Sequence, residues 1–388
     1  MIVIADDITG AAEIAGIAHS HGHCVRLACG DWVDADGTLV IATDTRSMTK
    51  ADAVAETLRI ASRSPLNAQR STFNVQCSTF NVQCFKKTDS ALRGHVTAEL
   101  AALMQATGLR RAVYLPANPS RGRIIRDGIY LIDGTPIHQT DFSFDPEFPA
   151  TSSSLSERFP DAASLGIIMP DAETLDDIRQ VIARYDDGAT LFAGATDLFS
   201  LLMDAWGTAP VRSRRTVSPL PSDCECAPVG QTGTTLVFCG STQSRPLNIG
   251  IPVAPMPRAV YDGEQGADYW FAHLPSSIIH HSSSIILTIP FSHLTGRAVA
   301  VRLRTVMAAM ASRLVRQHCP ARLIIEGGAT AWAVLQALGW TDFEVEGQAA
   351  PGVVQMRCVA TGTLVTLKPG SYPWPTEESL WSTNINAV

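Results

Sequence analysis

The feature that most constrains this chain is a repeated unit in which a short apolar, β-branched run stops at a polar or glycine-rich cluster and an Ala/Leu-rich segment follows. "MIVIA" breaks at Asp6 and Asp7 before "TGAAEIAGIAHSHG", "CVRLACG", "TLVIATDTRS" and "RAVYLPANPS" end in the same way, and "ADAVAETLRIAS" and "VTAELAALMQATG" carry helical patterns. Continuous apolar runs of this length read as strands buried on both faces, and strands alternating with helices imply a largely parallel sheet. The expected class is α/β. In the first unit Thr9 is placed to cap the helix and Gly22 to end it.

A single core stops growing near roughly 250 to 300 residues, so a chain of 388 residues is expected to form two domains, each with a largely parallel sheet flanked by helices, and an active site in the cleft between them. The stretch "APVRSRRTVSPLPSDCECAPVGQTG", rich in Pro, Ser and Gly, reads as a linker over 209–233, which leaves domains at 1–208 and 234–388. Within the first domain the texture changes after Arg123, where "RIIRDGIYLIDGTPI" carries two Asp-Gly turns around a β-rich run. That is a hairpin or meander signal, and it suits a lid or flap. Two further strand and helix units follow in "LGIIMPDAETLDDIRQVIARY" and "ATLFAGATDLFSLLMDAWG". In the second domain "TTLVFCGSTQSRP", "SIILTIP", a long helix near Arg297 to Gln317, "RLIIEGGATAWAVLQALG" and "TGTLVTLKPGSYP" continue the pattern. A perfect tandem repeat, "STFNVQC", occupies Ser71 to Cys77 and Ser78 to Cys84. A seven-residue shift moves every strand side chain to the opposite face; the copy nearer Phe85 is therefore expected to form the strand and the other to lengthen the preceding loop.

The formal net charge of -7 argues against nucleic-acid binding and for a small polar ligand. No apolar stretch reaches the ~20 residues of a membrane span, and the opening "MIVIADDITG" has no basic region before its apolar run. No membrane association and a cytoplasmic location are expected. Nine scattered cysteines without a CxxC pair fit reduced thiols.

The chemistry-bearing residues cluster at strand ends. Asp6 and Asp7 close the first strand, at the carboxyl edge where parallel α/β sheets bind ligands. Such a pair can hold Mg²⁺ or accept a hydroxyl proton, or one member can cap the helix while the other is solvated. "DTRS" places Arg46 at another strand end, where it can clamp an anion or form a surface ion pair. In "KKTDSALRGH", Lys87, Asp89, Ser90 and Arg93 fall between strand and helix and project from that same edge. Cations for a carboxylate and aspartates for hydroxyls suit a small polyhydroxy carboxylic acid; the plainer alternative is a helix cap with solvated basic residues.

In the second domain Gly327, Gly328, Ala329 and Thr330 lie between a strand and an Ala/Leu helix, and Ser241 follows another strand. Backbone amides at such a turn bind phosphate, although tight-packing glycine turns look the same. Gly352 in "APGVV", with Lys368 and Gly370 in "LKPGSYP", can complete a nucleotide pocket. Neither GxxxxGK[ST] nor GxGxxG is present. His19, His21 and His23 alternate at a helix end, which scatters their rings, and Ser241 lacks the GxSxG elbow of a hydrolase nucleophile. His280 and His281 read as surface residues, and Cys224 and Cys226 offer only a CxC.

Taken together, "IADDITGA", "DTRS", "KKTDSALRGH", "LPANPSRGR" with "DG", and the later "GGAT", "APG" and "KPG" resemble the four-carbon acid sugar kinase family over nearly the whole chain. The resemblance implies an ATP-dependent kinase acting on the terminal C4 hydroxyl of threonate, erythronate or a 3-oxo-tetronate, with the acid on the N-terminal domain and the nucleotide on the C-terminal one. Carried over, the acid would meet Asp6, Asp7, Arg46, Lys87, Asp89, Ser90 and Arg93. ATP would rest on Ser241, Gly327, Gly328, Ala329, Thr330, Gly352, Lys368 and Gly370. The chain departs from the family in having Ala329 where an acidic residue is usual and "KPGSYP" where "KSGGFG" is typical.

Phosphoryl transfer asks for positioning and charge neutralisation. Asp89 or Asp7 is expected to orient or deprotonate the hydroxyl, Lys87 or Arg93 to neutralise charge, and Mg²⁺ to accompany ATP. A homodimer is a possible assembly. An aspartate-nucleophile phosphatase is disfavoured because Ile8 stands where its acid partner would be. The alternative of another class is a non-catalytic or weakly active sugar-acid-binding protein with a degraded nucleotide site, which nucleotide binding would discriminate.

Overall fold

The structure, a computed structural model, describes residues 1–63, 83–145, 148–207, 233–241, 247, 250–276, 284–376 and 380. These fall into two compact units, Met1–Val211 and Arg212–Val388. The stretch 209–233 lies outside the described residues except for Gly233, as do Cys224, Cys226, His280 and His281.

The first unit is built on a parallel sheet whose strands follow from the apolar runs: β1 (Ile2–Ala5), β2 (Val25–Cys29), β3 (Thr38–Ala42), β4 (Cys84–Lys87), β5 (Arg111–Leu115), β9 (Ile167–Ile168) and β10 (Thr190–Gly194). Their order is β2-β3-β1-β4-β10-β5-β9. Every residue of β1 and β3 is buried, as expected of strands covered on both faces. Helices α1 (Ile8–Ser20) and α6 (Thr196–Trp206) pack together, as do α2 (Lys50–Ser62) and α3 (Val96–Thr107), and α5 (Leu175–Tyr185) lies against α6. A single turn, α4 (Leu155–Arg158), completes the set.

Topology sets the site. The chain leaves β1 to one side for β2 and β3 and then crosses to the other for β4, so β1 stands at a switch point, where open α/β sheets bind ligands. The register aligns Ala5 with Ala42 and with Lys87. The segments that follow these three residues therefore emerge side by side.

Two neighbouring lysines divide by the strand's two-residue period. Lys86 is fully buried and its Nζ lies 2.7 Å from Glu99 Oε2, which also accepts from Thr45 Oγ1 at 2.8 Å. Lys87 points to the other face, toward α1, where Gly10 leaves room for it. Of the duplicated heptapeptide only Gln83 and Cys84 are described, and Cys84 begins β4; which copy keeps the strand register falls outside the described residues.

The two Asp-Gly turns form the meander β6 (Arg123–Arg126), β7 (Ile129–Ile132) and β8 (Thr135–Pro136). Arg126 pairs with Ile129 and Ile132 with Thr135, and Asp127, Gly128, Asp133 and Gly134 all have positive φ. These are two-residue turns of the I′ kind, whose twist matches the strands they join. Helix α1 departs from expectation at its start: Asp7 is the cap, its Oδ1 accepting from Gly10 N at 2.8 Å, and Thr9 donates its hydroxyl to Asp7 Oδ2 at 2.7 Å. A carboxylate one residue before the helix reaches the free amides better than a hydroxyl already inside it.

The second unit is a mixed sheet in the order β12-β13-β11-β14-β17-β16-β15. Strands β11 (Thr235–Cys239), β12 (Val253–Pro255), β13 (Ile285–Thr288), β14 (Arg322–Glu326) and β17 (Leu364–Lys368) are parallel. Strands β15 (Asp342–Ala350) and β16 (Val353–Cys358) run antiparallel as a hairpin. This hairpin differs from the expectation of a ligand loop at "APGVV": Pro351 and Gly352 form its turn. Helices α7 (Arg258–Asp262), α8 (Ala267–Ala272), α9 (Arg297–His318) and α10 (Gly328–Leu338) accompany the sheet, with α9 against α8 and α10. Among the described residues no helix is long and apolar enough to cross a membrane.

Candidate functional site

In the first unit the ends of β1, β3 and β4 deliver a network of charges. Arg46, from the 3-10 turn Thr45–Ser47, donates Nη1 to Asp89 Oδ1 at 2.9 Å and Nη2 to Asp7 Oδ2. Asp89 also receives a bidentate grip from Arg93, Nε to Oδ2 at 2.8 Å and Nη2 to Oδ1 at 2.9 Å, and the Ala91 and Arg93 amides donate to Oδ2. Burial opposes the Asp89 charge, but Arg93, Arg46 and Lys87 outweigh it and hold the carboxyl far below the usual carboxylate range. Asp7 follows the same balance, burial against Arg46, Lys87, Thr9 and the Gly10 amide, and is also held low. Arg46 gains from its acidic neighbours more than burial costs it, and stays charged.

Asp6 differs. Its Oδ2 accepts the Asp89 amide at 3.2 Å, while Oδ1, on a side chain only 2 % exposed as a residue, has no hydrogen-bond partner. Burial raises this carboxyl to about 6, with Arg46 pulling it down and Asp7 pushing it up. A buried carboxylate oxygen without a donor is costly unless something else supplies one. Lys87, buried beside it, donates to Thr88 O at 2.9 Å. Gly10 makes the crowding possible: a Cβ there would stand 2.6 Å from Asp7 Oδ1 and 3.2 Å from Lys87 Nζ.

The structure thus brings Asp6, Asp7, Arg46, Lys87, Asp89 and Arg93 together. Ser90 sits at the rim, its hydroxyl accepting from Arg123 and its carbonyl from the Tyr130 hydroxyl of β7. Neither Arg123 nor Tyr130 was singled out from sequence, although Arg123 lies in the quoted "LPANPSRGR" and that motif was the available signal. Two non-glycine residues with positive φ, Asp44 at 53° and Leu92 at 63°, flank the network, the kind of local strain that concentrates at functional sites.

In the second unit the ends of β11, β14 and β17 also converge, since Cys239 aligns with Glu326 and Glu326 with Lys368. Gly327, at φ 92°, precedes α10 with no side-chain cap, leaving the first amides of the helix open to an anion. A Cβ on Gly240 would collide with the Thr330 side chain, and one on Gly370 would stand 2.7 Å from Ser241 Oγ. Ser241, Gly327, Thr330 and Gly370 are therefore neighbours around a cradle that side chains would fill, and Gly352 packs against the Tyr372 ring. Ala329 is exposed on the first turn of α10 and Gly328 begins it. Lys368 turns inward: it is fully buried, its Nζ 2.7 Å from Glu326 Oε1 and 3.0 Å from Pro369 O, with the Trp374 ring 4.8 Å away. Its ammonium anchors the loop from behind.

No group of three or more His, Cys, Asp or Glu side chains that could hold a metal ion occurs among the described residues. His21 bonds to Ile17 O and Asp204, and His23 to Thr38.

Comparison with known proteins adds a second line. A family model described as a sugar-binding N-terminal domain matches residues 1–197, and one described as a nucleotide-binding C-terminal domain matches 283–372. A D-threonate kinase of Salmonella typhimurium is 35% identical over 161 residues, 40% of this chain and 35% of that one. A 3-oxo-tetronate kinase of Brucella melitensis is 26% identical across 95% of this chain and 92% of its own. Among solved structures, one from Salmonella typhimurium LT2 aligns with a TM-score of 0.71 at 17% identity, covering 99% of this chain and 98% of that one. A Haemophilus influenzae protein of the DUF1537 family aligns with a TM-score of 0.62 at 18% identity, covering 95% and 96%. At such identities the structural likeness speaks for the fold.

Proposed function

Because the chain belongs to the four-carbon acid sugar kinase family, with its sugar-binding N-terminal and nucleotide-binding C-terminal domains, we propose that it transfers the γ-phosphoryl group of ATP to the C4 hydroxyl of threonate, erythronate or a 3-oxo-tetronate. The observation that carries this reading is the buried, partnerless Oδ1 of Asp6 at the centre of the charge network. A substrate hydroxyl can satisfy that oxygen by donating to it.

In this reading the acceptor hydroxyl donates to Asp6 Oδ1. As its oxygen bonds to the γ-phosphorus, the phosphorus–oxygen bond to ADP breaks and the hydroxyl proton passes to Asp6, which becomes a neutral acid. A carboxyl raised to about 6 suits this task, since a general base works best with a pKa near the operating pH. Asp7 and Asp89, whose oxygens already accept from Arg46, Arg93 and backbone amides, orient the arginines and keep the site rigid. Lys87, next to Asp7 and Asp89 in the network, tempers the charge that develops during transfer. Transfer also requires the acid on the first unit and the phosphate on the second to meet in line.

The phosphates fit the amides at Gly327 to Thr330 and the Ser241 hydroxyl. Glycines at 240, 327 and 370 leave the necessary room. Mg²⁺, bound through the phosphates, would neutralise their charge; Asp7 and Asp89 are already answered by arginines, which suits an ion carried by the nucleotide. An ATP-dependent reaction is in keeping with a cytoplasmic location.

A coupled assay for ADP release from Mg-ATP against D- and L-threonate, D- and L-erythronate and 3-oxo-tetronate tests the proposal. Turnover of one acid supports it and names the substrate. Silence on all five, with an acid binding calorimetrically, would favour the binding-protein alternative.

A further inference from the structure

Beside the charge network of the first unit stands an arginine that no carboxylate of the described residues pairs with. Asp6, Asp7 and Asp89 face Arg46, Lys87 and Arg93, and Arg93 also reaches Asp145 at 3.3 Å. A ligand that brings a further carboxylate needs a cation not already matched. Arg123 meets that description: among the described residues its guanidinium bonds only to Ser90 Oγ, and no carboxylate pairs with it. A guanidinium carries five N–H donors in a planar fork that matches a carboxylate.

Its position is fixed from several sides. Arg123 and Asn118 exchange backbone hydrogen bonds, Arg123 O accepting at 2.7 Å and Arg123 N donating at 3.2 Å. Asn118 is buried and its Oδ1 accepts from Thr196 and from the Asp197 amide, while Asp197 takes both the Ser120 amide and hydroxyl. The loop that carries Arg123 is thus tied to the start of α6. The Phe142 ring lies 5.7 Å from the Arg123 guanidinium and 5.8 Å from that of Arg93, so both cations share one aromatic wall. Ser90, which receives Arg123, directly follows Asp89, whose amide bonds Asp6. Arg123 and Asp6 thus converge on the same two-residue stretch, Asp89 and Ser90.

We propose that Arg123 is a specificity-determining residue that binds the carboxylate of the acid while Asp6 meets its terminal hydroxyl, so that the site selects sugar acids over neutral sugar alcohols. The inference rests on the kinase reading above and deepens it.

The test compares the full chain with Arg123→Gln and Arg123→Lys on the tetronate that is turned over and on the corresponding tetritol, which lacks the carboxylate. Removing the charge raises KM for the acid by about ten- to a hundredfold, the loss of a hydrogen-bonded ion pair, leaves KM for the tetritol unchanged, and moves kcat far less. Arg123→Lys, which keeps the charge but not the fork, falls between the two; it also serves if Arg123→Gln does not fold. Equal changes for acid and tetritol, or none for the acid, overturn the proposal and leave the kinase reading standing. If the wild-type protein phosphorylates none of the acids, the kinase reading fails instead. Calorimetric binding of acid against tetritol to the same variants then decides the Arg123 assignment by the same ratio.

Discussion

The backbone amide of Asp89 donates to Asp6 Oδ2 at 3.2 Å, joining two aspartates of opposite character: Asp6 raised to about 6 and Asp89 held far below the carboxylate range. One is loaded with donors and the other has an oxygen to spare. Asp6→Asn keeps the shape but removes the proton acceptor. It should lower kcat by about 10² to 10⁴, the usual scale of general-base loss, while acid affinity measured by calorimetry changes only a few-fold. Unchanged kcat would sink the assignment.

The same residue predicts a pH profile. If the charged form of Asp6 is required, kcat/KM falls as pH drops through about 6. Stability runs the other way for this group. Its folded pKa lies above the ordinary aspartate value of 3.8, so its favourable contribution is full below that value and is lost as pH rises through about 6. Relative to wild type, Asp6→Asn should therefore look more stable at pH 8 than at pH 5 in urea melts. Asp89, with a depressed folded pKa, contributes stability above the unfolded value that is lost only as pH falls well below it.

Arg46 bridges Asp7 and Asp89. Arg46→Met leaves two buried carboxylates without that partner, a change that costs about 3 to 5 kcal/mol when an ion pair is buried. Denaturant unfolding should show a lower midpoint with an unchanged slope.

On the nucleotide side, Gly370→Ala places a methyl 2.7 Å from Ser241 Oγ. We expect KM for ATP to rise about tenfold, ~1.4 kcal/mol, with tetronate affinity unaltered. A titration with a fluorescent nucleotide checks the first half and calorimetry the second.

Lys368 separates anchoring from phosphate contact. Lys368→Met strands Glu326 in the core and should destabilise the second unit by about 3 to 5 kcal/mol, whereas the double change with Glu326→Leu should recover most of that loss. Recovery of nucleotide binding in the double variant, read by the same titration, is the outcome an anchoring role requires.

Much of this was legible beforehand because strand ends are a sequence property: an apolar run that stops at Asp6, at Thr43 or at Thr88 says where the edge lies, and parallel pairing then stacks those edges. What escaped was set by tertiary context. Thr9 looked like the cap, yet Asp7 reached the amides first. The β15 and β16 hairpin was hidden by a Pro-Gly pair that serves as its turn and also brings Gly352 under Tyr372. Lys368 was expected in a nucleotide pocket, but its pairing with buried Glu326 was not visible, because sequence does not reveal which face of β17 it occupies. Arg123 stood in a quoted motif, but only its lack of a carboxylate partner distinguishes it, and partners are not visible in sequence.

The alternation of Lys86 and Lys87 on β4 has a consequence for how the chain tolerates its duplicated heptapeptide. One lysine must reach Glu99 in the core and the next must turn toward Gly10. A slide of β4 by an odd number of residues would send each ammonium to the wrong side, stranding Glu99 and filling the gap beside Gly10 with the wrong group. The strand therefore carries its own proofreading: only one alignment pairs both charges, and seven extra residues upstream cannot be absorbed by shifting it.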